Sequence, residues 1–311
     1  MSQNYDFEYD LALKVSWYYY VENMTQQHIS DIMGTSRMRV IKLLDHARQK
    51  GIIQFHFRSE HAYRMELECK LMQRWGLQDV FIVPVDDNVK DVDLAVGKAA
   101  AMYLYNQIHE DCYINWGHGR TLNYTLGNLL QSCEHQLSIV SLTGGVDYYF
   151  PDLRSVNNSA NMHVIPAPLI MSSREATQAI LGERPVQDIF NMIWHSSMTV
   201  VGIGSMSTEA TLIKRGIMTS NDFLLLGMQG AVGDILSQFI NENGEKIHCS
   251  FEDRMIAISL EELKKLKNVV GVAGGTSKAA VIHAALQGGY LNKLVIDEET
   301  ARLVLQMDEP Q

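Results

Sequence analysis

Proline, cysteine and long apolar runs are scarce in this chain of 311 residues. It has 6 prolines and 4 cysteines, and the cysteines lack the CxxC spacing of a zinc site. No apolar run reaches the roughly 18 residues that a membrane-spanning helix needs. The N-terminal residues MSQNYDFEYD are acidic and lack the cationic segment of a secretory signal. We therefore expect a cytoplasmic protein with reduced thiols, no bound metal and no membrane partner.

The common catalytic and cofactor motifs are absent as well. Gly117-His118-Gly119 begins like a dinucleotide-binding loop, but the third glycine and the ribose-binding acid are missing. The sequence has no GxxxxGK[ST] phosphate loop, and GIGSMS resembles a GxSxG nucleophile turn only loosely. A nucleotide cofactor is therefore not expected.

What the chain does contain begins with a helix-turn-helix pattern in residues 25–50. Thr25 can cap a first helix and Ser36 a second, and Gly34 between them can close the first helix in a left-handed conformation. The apolar stripe of the first helix is Ile29, Ile32 and Met33, and that of the second is Val40, Leu43, Leu44 and Ala47. Residues 8–22 are expected to add another helix to this bundle.

Residues 31–58 carry six basic residues against two acidic ones, a net charge of +4 in a chain whose total is −10. An ordinary pair of amphipathic helices does not need such a cationic island, whereas attraction to DNA phosphates does. We therefore interpret the second helix as a recognition helix for the major groove of double-stranded operator DNA. The residues expected at this interface are Thr25, Gln26, Ser36, Arg37, Arg39 and Lys42. The alternating stretch IIQFHF (52–57) suits a wing strand, from which His56 and Arg58 could reach the DNA backbone, although a solvated face fits equally well.

From residue 78 onward, buried strands alternate with helices. The strand-like runs are DVFIVPV, DCYINWG, SIVSLTGG, MHVIPAPL, MTVVGIGS and VVGVAGG, and the helical runs cover 92–108, 119–132, 173–182 and 278–287. This alternation predicts a doubly wound, mostly parallel α/β sheet covered on both faces, preceded by an amphipathic helix at 60–76. Several strands end in glycine clusters. These loops are the pocket candidates, because ligands of open α/β sheets bind at the carboxyl ends of the strands.

The most informative glycine loop lies in GVAGGTSKAAVIHAAL, residues 271–286. Thr276 or Ser277 is expected to cap a helix whose first turn holds Lys278. A cation at this position opposes the helix dipole unless an anion binds beside it, so the loop predicts a phosphate site. The alternative is a surface lysine that tolerates a small energetic penalty.

Two further loops carry polar side chains. Arg120, which follows Gly117-His118-Gly119, can contact a phosphate or a carboxylate. Asp234, in GAVGDI, either accepts hydrogen bonds from sugar hydroxyls or caps a helix beginning at Ile235.

Segments spread in order along nearly the whole chain resemble the SorC family of bacterial transcriptional regulators, also called the DeoR-type sugar-binding family. They are WYYYVENMTQQHISDIMG with RVIKLL, VSLTGGV, VIPAPL, VVGIGS, GAVGDIL and GVAGGTSKAAVIHAALQGGYLNKLVID. The resemblance implies a winged-helix-like reader (1–58), a linker helix (59–77) and an effector domain (78–311) similar to sugar-phosphate isomerases. It also implies a homo-tetramer or dimer that regulates a carbohydrate or autoinducer-2-type operon, with repression preferred over activation, in response to a phosphorylated sugar-like small molecule.

Carried over by motif, the effector contacts fall on Gly117, His118, Gly119, Arg120, Thr121, Thr143, Gly144, Gly145, Asp234, Gly274, Gly275 and Lys278. The loop NWGHGRTL departs from the family pattern, and we expect Trp116 and His118 to reshape the pocket. The segment DYYFPDLRSVNNSAN is also individual, so the resemblance leaves the identity of the effector open.

The same pocket design would serve a sugar-phosphate isomerase, for which Asp147 and Asp234 are the candidate loop carboxylates. Neither residue lies in a recognisable catalytic motif. The N-terminal helices would have no role in an isomerase. The regulator is therefore preferred, and enzymatic activity is not expected.

Overall fold

The computed structural model describes residues 7–55, 59–85, 91–108, 112–133, 136–145, 160–207, 210–214 and 216–307. The chain divides into two units, residues 1–62 and 63–311. The division falls inside a helix, so most of the linker helix expected at 59–77 belongs to the second unit.

The first unit contains the helices α1 (Phe7–Tyr20), α2 (Gln26–Ile32) and α3 (Arg37–Gln49). Both predicted caps are formed. The Thr25 hydroxyl accepts a hydrogen bond from the backbone N–H of His28, and the Ser36 hydroxyl accepts one from that of Arg39, each at 3.2 Å. Gly34 adopts a φ of +60° in the turn between α2 and α3, a conformation that favours glycine. The helix, turn and helix therefore form where the sequence predicted them.

These helices pack through one apolar cluster, whose fully buried members are Ala12, Val15, Ile29, Val40, Leu43, Leu44 and Ala47. The inward stripe of the second predicted helix is confirmed. Ile32 was expected on the buried stripe of the first, but it is the last residue of α2 and is 50% exposed.

The predicted wing strand does not form in residues 52–55, which are bends and irregular backbone. The N–H groups of Ile52 and Ile53 donate to the carbonyl of Ala47 and so close the end of α3 instead of entering a sheet. His56 and Arg58 lie outside the described residues.

The second unit alternates strands and helices, as predicted. Its strands are β1 (Asp79–Val83), β2 (Tyr113–Trp116), β3 (Leu137–Ser141), β4 (Ala160–His163), β5 (Met198–Ser205), β6 (Ala231–Ile235), β7 (Gln238–Asn241), β8 (Val269–Val272) and β9 (Lys293–Asp297). Its helices are α4 (Ser59–Trp75, which starts in the first unit), α5 (Val92–Tyr105), α6 (Arg120–Ser132), α7 (Arg174–Gly182), α8 (Arg184–His195), α9 (Thr211–Lys214), α10 (Ser220–Met228), α11 (Leu260–Leu263), α12 (Ala279–Gln287) and α13 (Glu298–Gln306). Short 3-10 turns occur at Glu252–Arg254 and Thr276–Lys278.

The strands form one sheet in the order β1-β9-β8-β5-β2-β3-β4, and each neighbouring pair on this path is parallel. Consecutive strand residues face opposite sides of a sheet. Val200 accordingly packs in the cluster that contains residues of α5 and α6, whereas Val201 packs in the cluster that contains residues of α4, α12 and α13. The mostly parallel α/β sheet with helices on both faces is therefore confirmed.

The direction of winding reverses between β2 and β5. From β2 the chain proceeds outward to β3 and β4, then returns to β5 beside β2 and continues to β8 and β9 on the other side. Loops that leave the carboxyl ends of β2 and β5 therefore diverge, and such a switch point is where open α/β sheets leave a crevice.

A β-hairpin stands beside this crevice. β6 pairs antiparallel with the end of β5 and with β7. Leu236 and Ser237, between β6 and β7, have φ values of +53° and +63°, as a tight two-residue hairpin turn requires. The alternative that Asp234 caps a helix starting at Ile235 is therefore wrong.

The edge strand β1 is covered by α4. The Glu68 carboxylate accepts a hydrogen bond from the backbone N–H of Ile82 at 2.9 Å. Burial raises the pKa of Glu68, and the hydrogen bond from Ile82 opposes that effect only in part. A side chain thus satisfies a backbone donor of an edge strand.

Within the described residues, no helix combines the length and the apolar character needed to cross a membrane.

Candidate functional site

A cavity of about 430 Å³ lies at the switch point of the sheet, a volume that suits a small-molecule ligand. Its wall comes from the loops after β2 and β5, the first turn of α5, the β6–β7 hairpin and the turn before α12. The lining residues are Asp93, His118, Gly119, Arg120, Thr121, Leu122, Gly202, Ile203, Gly204, Ser205, Ser207, Ala210, Leu212, Lys214, Asp234, Leu236, Ser277 and Lys278.

Charged side chains from three helix starts meet in this wall. The ammonium group of Lys278 donates to Oδ1 of Asp93 at 2.7 Å, and the Thr121 hydroxyl donates to the same oxygen at 2.6 Å. Arg120 donates from Nε to Oδ2 of Asp93 at 2.9 Å and from a terminal nitrogen to Oδ1 of Asp91 at 3.1 Å. The cations that the sequence predicted as phosphate ligands are thus engaged by carboxylates of this chain.

The Asp93 carboxylate is ionised at neutral pH. Burial by itself would raise the pKa of Asp93. The positive charge of Lys278, with hydrogen bonds from Lys278, Thr121 and Arg120, outweighs burial and lowers that pKa below its ordinary value. Asp93 therefore acts as a fixed counter-charge to Lys278.

The turn that carries Lys278 differs from its prediction. Residues 276–278 form a 3-10 turn, α12 begins at Ala279, and neither Thr276 nor Ser277 makes a side-chain cap. The surface-lysine alternative is also wrong, because the Lys278 side chain is 17% exposed and ion-paired with Asp93.

The other carboxylate in the lining is Asp234 of β6, which is 8% exposed. Its Oδ2 accepts a hydrogen bond from the backbone N–H of Ser237 at 3.0 Å. Burial raises the pKa of Asp234 to about 6, although the Ser237 N–H and the charge of Lys278 oppose this. Asp234 can therefore accept hydrogen bonds from a ligand at neutral pH and changes its charge state just below it.

His118 contributes a neutral ring to the lining. Its Nε2 lies 2.7 Å from the hydroxyl oxygen of Ser237, so one of the two donates to the other. Burial lowers the pKa of His118 to about 4. The ring is therefore neutral at physiological pH and contributes hydrogen bonding and shape to the cavity wall.

Half of the predicted effector residues meet in this cavity. They are His118, Gly119, Arg120, Thr121, Asp234 and Lys278. Gly117 lies directly behind them: its N–H donates to the carbonyl of Val200 at 2.8 Å, and a Cβ there would come within 3.1 Å of the Leu236 side chain.

The predicted loop Thr143-Gly144-Gly145 does not reach the cavity. The N–H of Gly144 donates to the carbonyl of Ile256 at 2.8 Å, that of Gly145 donates to the carbonyl of Ala167 at 2.7 Å, and Thr143 forms a β-bridge with Ala257. This loop follows β3, which lies one strand outside the switch point. Its backbone groups are engaged in hydrogen bonds within the fold.

Three other residues that the sequence placed at the pocket make contacts within the fold and do not line the cavity. A Cβ on Gly274 would meet the Asp297 carboxylate at 2.7 Å, and the N–H of Gly275 donates to that carboxylate at 2.7 Å. Trp116, which was expected to reshape the pocket, is 1% exposed and packs in the core beneath the sheet.

Sequence reasoning did not identify Asp93 or Lys214 as lining residues. Asp93 follows the helix cap Asp91, whose Oδ1 accepts a hydrogen bond from the N–H of Leu94, so the two acids have the sequence pattern of an ordinary helix start. Lys214 ends the short helix α9, and no glycine cluster marks its position.

In the first unit, the residues nominated for DNA contact lie around the start of α3. Nε of Arg37 donates to the side-chain oxygen of Gln26 at 3.3 Å, which joins the starts of α2 and α3. Arg39 forms an exposed ion pair with Glu8 at 2.7 Å. Lys42 is exposed. Thr25 and Ser36 act as the helix caps described above.

Among the side chains that the structure describes, no group of three or more His, Cys, Asp and Glu residues is arranged so that it could hold a metal ion.

Comparison with known proteins identifies the family of the chain. The profile of the sugar-binding domain family Sugar-bind matches residues 59–306. The transcriptional regulator LsrR of Enterobacter sp. (strain 638) is 33% identical over 304 residues, which cover 96% of this chain and 94% of that protein. LsrR of Escherichia coli (strain K12) is 33% identical over 305 residues, covering 96% and 95%.

Among solved structures, the full-length sorbitol operon regulator SorC from Klebsiella pneumoniae has a TM-score of 0.69 at 24% identity, covering 96% of this chain and 100% of that chain. This likeness concerns the fold. The resemblance noted in the sequence is confirmed: the chain belongs to the Sugar-bind family and is a homologue of the LsrR regulators, with structural neighbours among the SorC/DeoR-type regulators.

Proposed function

We propose that this protein is a DNA-binding transcriptional regulator whose operator affinity is controlled by a phosphorylated sugar-like effector. The first unit is a helix-turn-helix reader, and the second unit holds the effector in the cavity at the switch point. The regulated genes are a carbohydrate or autoinducer-2-type operon, and the protein represses them.

The reading surface is the exposed face at the start of α3. Two formed caps and the Arg37–Gln26 hydrogen bond fix the geometry of the turn, so cations at the start of α3 project from a rigid pair of helices. Arg37 and Lys42 are exposed cations that can contact phosphates or base edges in a major groove. Arg39 must exchange Glu8 for DNA before it contributes.

The observation that carries the effector assignment is the mixture of charges in one cavity. Lys278, Arg120 and Lys214 supply cations that suit a phosphate, and Asp234 supplies a buried acceptor that suits sugar hydroxyls. A phosphorylated sugar carries a phosphate and several hydroxyl groups on one small molecule. The cavity volume of about 430 Å³ accommodates such a ligand.

Regulation requires that the effector bind one quaternary arrangement better than another, because equal affinity for both would shift nothing. A homo-tetramer or dimer provides paired reading units, whose spacing must match half-sites a whole number of DNA turns apart. Effector binding at the switch point changes that spacing or orientation and lowers operator affinity.

Two measurements on the full chain test this function. Thermal unfolding with a panel of pentose and hexose phosphates identifies ligands, because a ligand of the native state alone raises its apparent stability. Gel shifts with duplexes from the promoter of the protein's own operon then measure DNA affinity with and without those ligands. We expect binding at low salt that falls as salt rises, and release by a stabilising sugar phosphate. Failure to bind these duplexes, with and without ligands, would refute the proposal.

A sugar-phosphate isomerase is the alternative. The raised pKa of Asp234 is a property of a general base. The second nominated carboxylate, Asp147, lies outside the described residues, and the relatives matched along the whole chain are regulators. A turnover assay with the same sugar phosphates distinguishes the two functions, and we expect no turnover.

A further inference from the structure

Asp93 lies where a ligand anion would lie. Its carboxylate receives hydrogen bonds from Lys278, Thr121 and Arg120, whose donors belong to the turn before α12 and to the first residues of α6. Asp93 itself is in the first turn of α5 and lines the cavity. One aspartate thus forms hydrogen-bonded ion pairs with the cations that the cavity would otherwise offer to an incoming anion.

The neighbouring carboxylate Asp91 provides a contrast. Asp91 contacts Arg120 and caps α5, whereas the Lys278 ammonium group is bonded to Asp93, and Asp91 is not among the residues that line the cavity. The two acids are two residues apart on the same helix start. Both acids place a negative charge at the start of α5. Of the two, only Asp93 places it in the cavity wall beside Lys278.

We propose that Asp93 is a specificity-determining residue, an internal counter-anion with which every anionic effector must compete for Lys278. This inference rests on the proposed function, since it concerns the same effector cavity. A singly charged or neutral ligand gains little by displacing a carboxylate that already has ideal distances to its donors. A doubly charged phosphate attracts the ammonium group more strongly than Asp93 does, so the site favours phosphate monoesters and excludes the unphosphorylated sugar.

The competing explanation is that Asp93 only ties α5, α6 and the turn before α12 together. In that case its removal would lower stability and leave anion affinity unchanged or weaker. Competition makes the opposite prediction for affinity, because removing the internal anion frees Lys278 and removes a like charge from the neighbourhood of the ligand. Affinity for a small anion therefore separates the two roles.

The test is calorimetric titration of the full chain with inorganic phosphate, and with acetate as a singly charged probe. Asp93→Asn keeps the shape and the acceptor oxygen but removes the charge, and Asp93→Ser is a second substitution should the first fold poorly. Asp91→Asn is the matched control, because it removes the same charge nearby and asparagine still caps the helix. The double variant Asp93→Asn/Lys278→Met tests whether the gain depends on Lys278.

We expect Asp93→Asn to bind phosphate about tenfold or more tightly than the unmodified protein, with Asp91→Asn changing the affinity by less than about threefold. The gain should vanish in the double variant, and acetate affinity should rise in Asp93→Asn as well. The inference would be overturned if the unmodified protein and Asp93→Asn bound phosphate with equal affinity. If that affinity still depended on Lys278, the proposed effector site would remain intact. Absence of phosphate binding in every variant would overturn the inference together with the phosphorylated effector.

Discussion

Gly204 and Asp234 face each other across the antiparallel pairing of β5 and β6, and the space beside Gly204 is filled by the Asp234 carboxylate. A Cβ at residue 204 would collide with Oδ1 of that carboxylate. The glycine therefore leaves the space that the buried carboxylate occupies in the cavity wall.

We expect Gly204→Ala to destabilise the protein by about 1–3 kcal/mol, because the new methyl group must push the carboxylate or the hairpin backbone aside. Chemical denaturation measures this loss. Gly127→Ala is the control, since Gly127 lies in α6 with no atom within 4 Å of its would-be Cβ, and the change there should be neutral or stabilising by up to about 1 kcal/mol. Equal stability of Gly204→Ala and the unmodified protein would contradict the crowding argument.

Lys278→Ala should abolish the effector response and spare DNA binding, because it removes a cation of the cavity and leaves the residues of the proposed reading helices unchanged. The measurement is a gel shift with and without the sugar phosphate that stabilises the unmodified protein. Lys265→Ala, a change at an exposed lysine elsewhere in the second unit, should respond normally. If the Lys278→Ala variant were released from DNA at the effector concentrations that release the unmodified protein, Lys278 would not be part of the effector site.

Arg37→Ala should weaken operator affinity by about 1–3 kcal/mol if the side chain contacts a base edge. If the side chain contacts a phosphate instead, the substitution should reduce the salt dependence of binding by the amount expected for about one phosphate contact. Arg39→Ala should weaken affinity less, because Arg39 first has to leave Glu8. Arg184→Ala, at an exposed arginine of the second unit, serves as the charge control. Unchanged gel-shift affinity in both Arg37→Ala and Arg39→Ala would count against α3 as the reading helix.

The pH dependence of stability should change in Asp234→Asn. The pKa of Asp234 is raised to about 6 in the folded chain, so its contribution favours folding at low pH and is lost as pH rises from about 4 to 6. The pKa of His118 is lowered to about 4, so its contribution favours folding above the unfolded pKa of about 6.5 and is lost as pH falls toward 4. The two contributions oppose each other over the same range.

Removing Asp234 should therefore expose the His118 contribution. We expect the unfolding free energy of Asp234→Asn to rise more steeply between pH 4 and 6.5 than that of the unmodified protein. Denaturant unfolding at several pH values measures the slope. Asp222→Asn is the control, because the Asp222 carboxylate lies in an exposed capping box on α10. Parallel pH profiles for Asp234→Asn and the unmodified protein would show that Asp234 does not titrate in this range.

Features set by neighbouring residues could be predicted from the sequence. The caps Thr25 and Ser36 bond to a residue three positions away, and the glycine turn at Gly34 is equally local. The alternation of strands and helices predicted the mostly parallel sheet and the edge of that sheet at which the cavity lies. The sequence analysis did not predict the strands β6, β7 and β9 or the helices α8, α9, α10, α11 and α13.

Features that depend on strand order could not be predicted. The loops after β2 and β3 look alike in sequence, but only β2 borders the switch point, which is why Arg120 lines the cavity and Gly144 does not. The partner of Lys278 was equally hidden, because Asp93 precedes it by 185 positions and looks like part of an ordinary helix cap. The unpaired cation that the sequence indicated is, in three dimensions, paired.

The carboxylate of Glu68 protects the rim of the sheet. An edge strand with open backbone donors is a template on which a strand of another chain can add, and repeated addition leads to aggregates. Because Glu68 bonds to Ile82, that donor of β1 is unavailable to an intruding strand. Addition of a foreign strand at this edge of the sheet is thereby disfavoured.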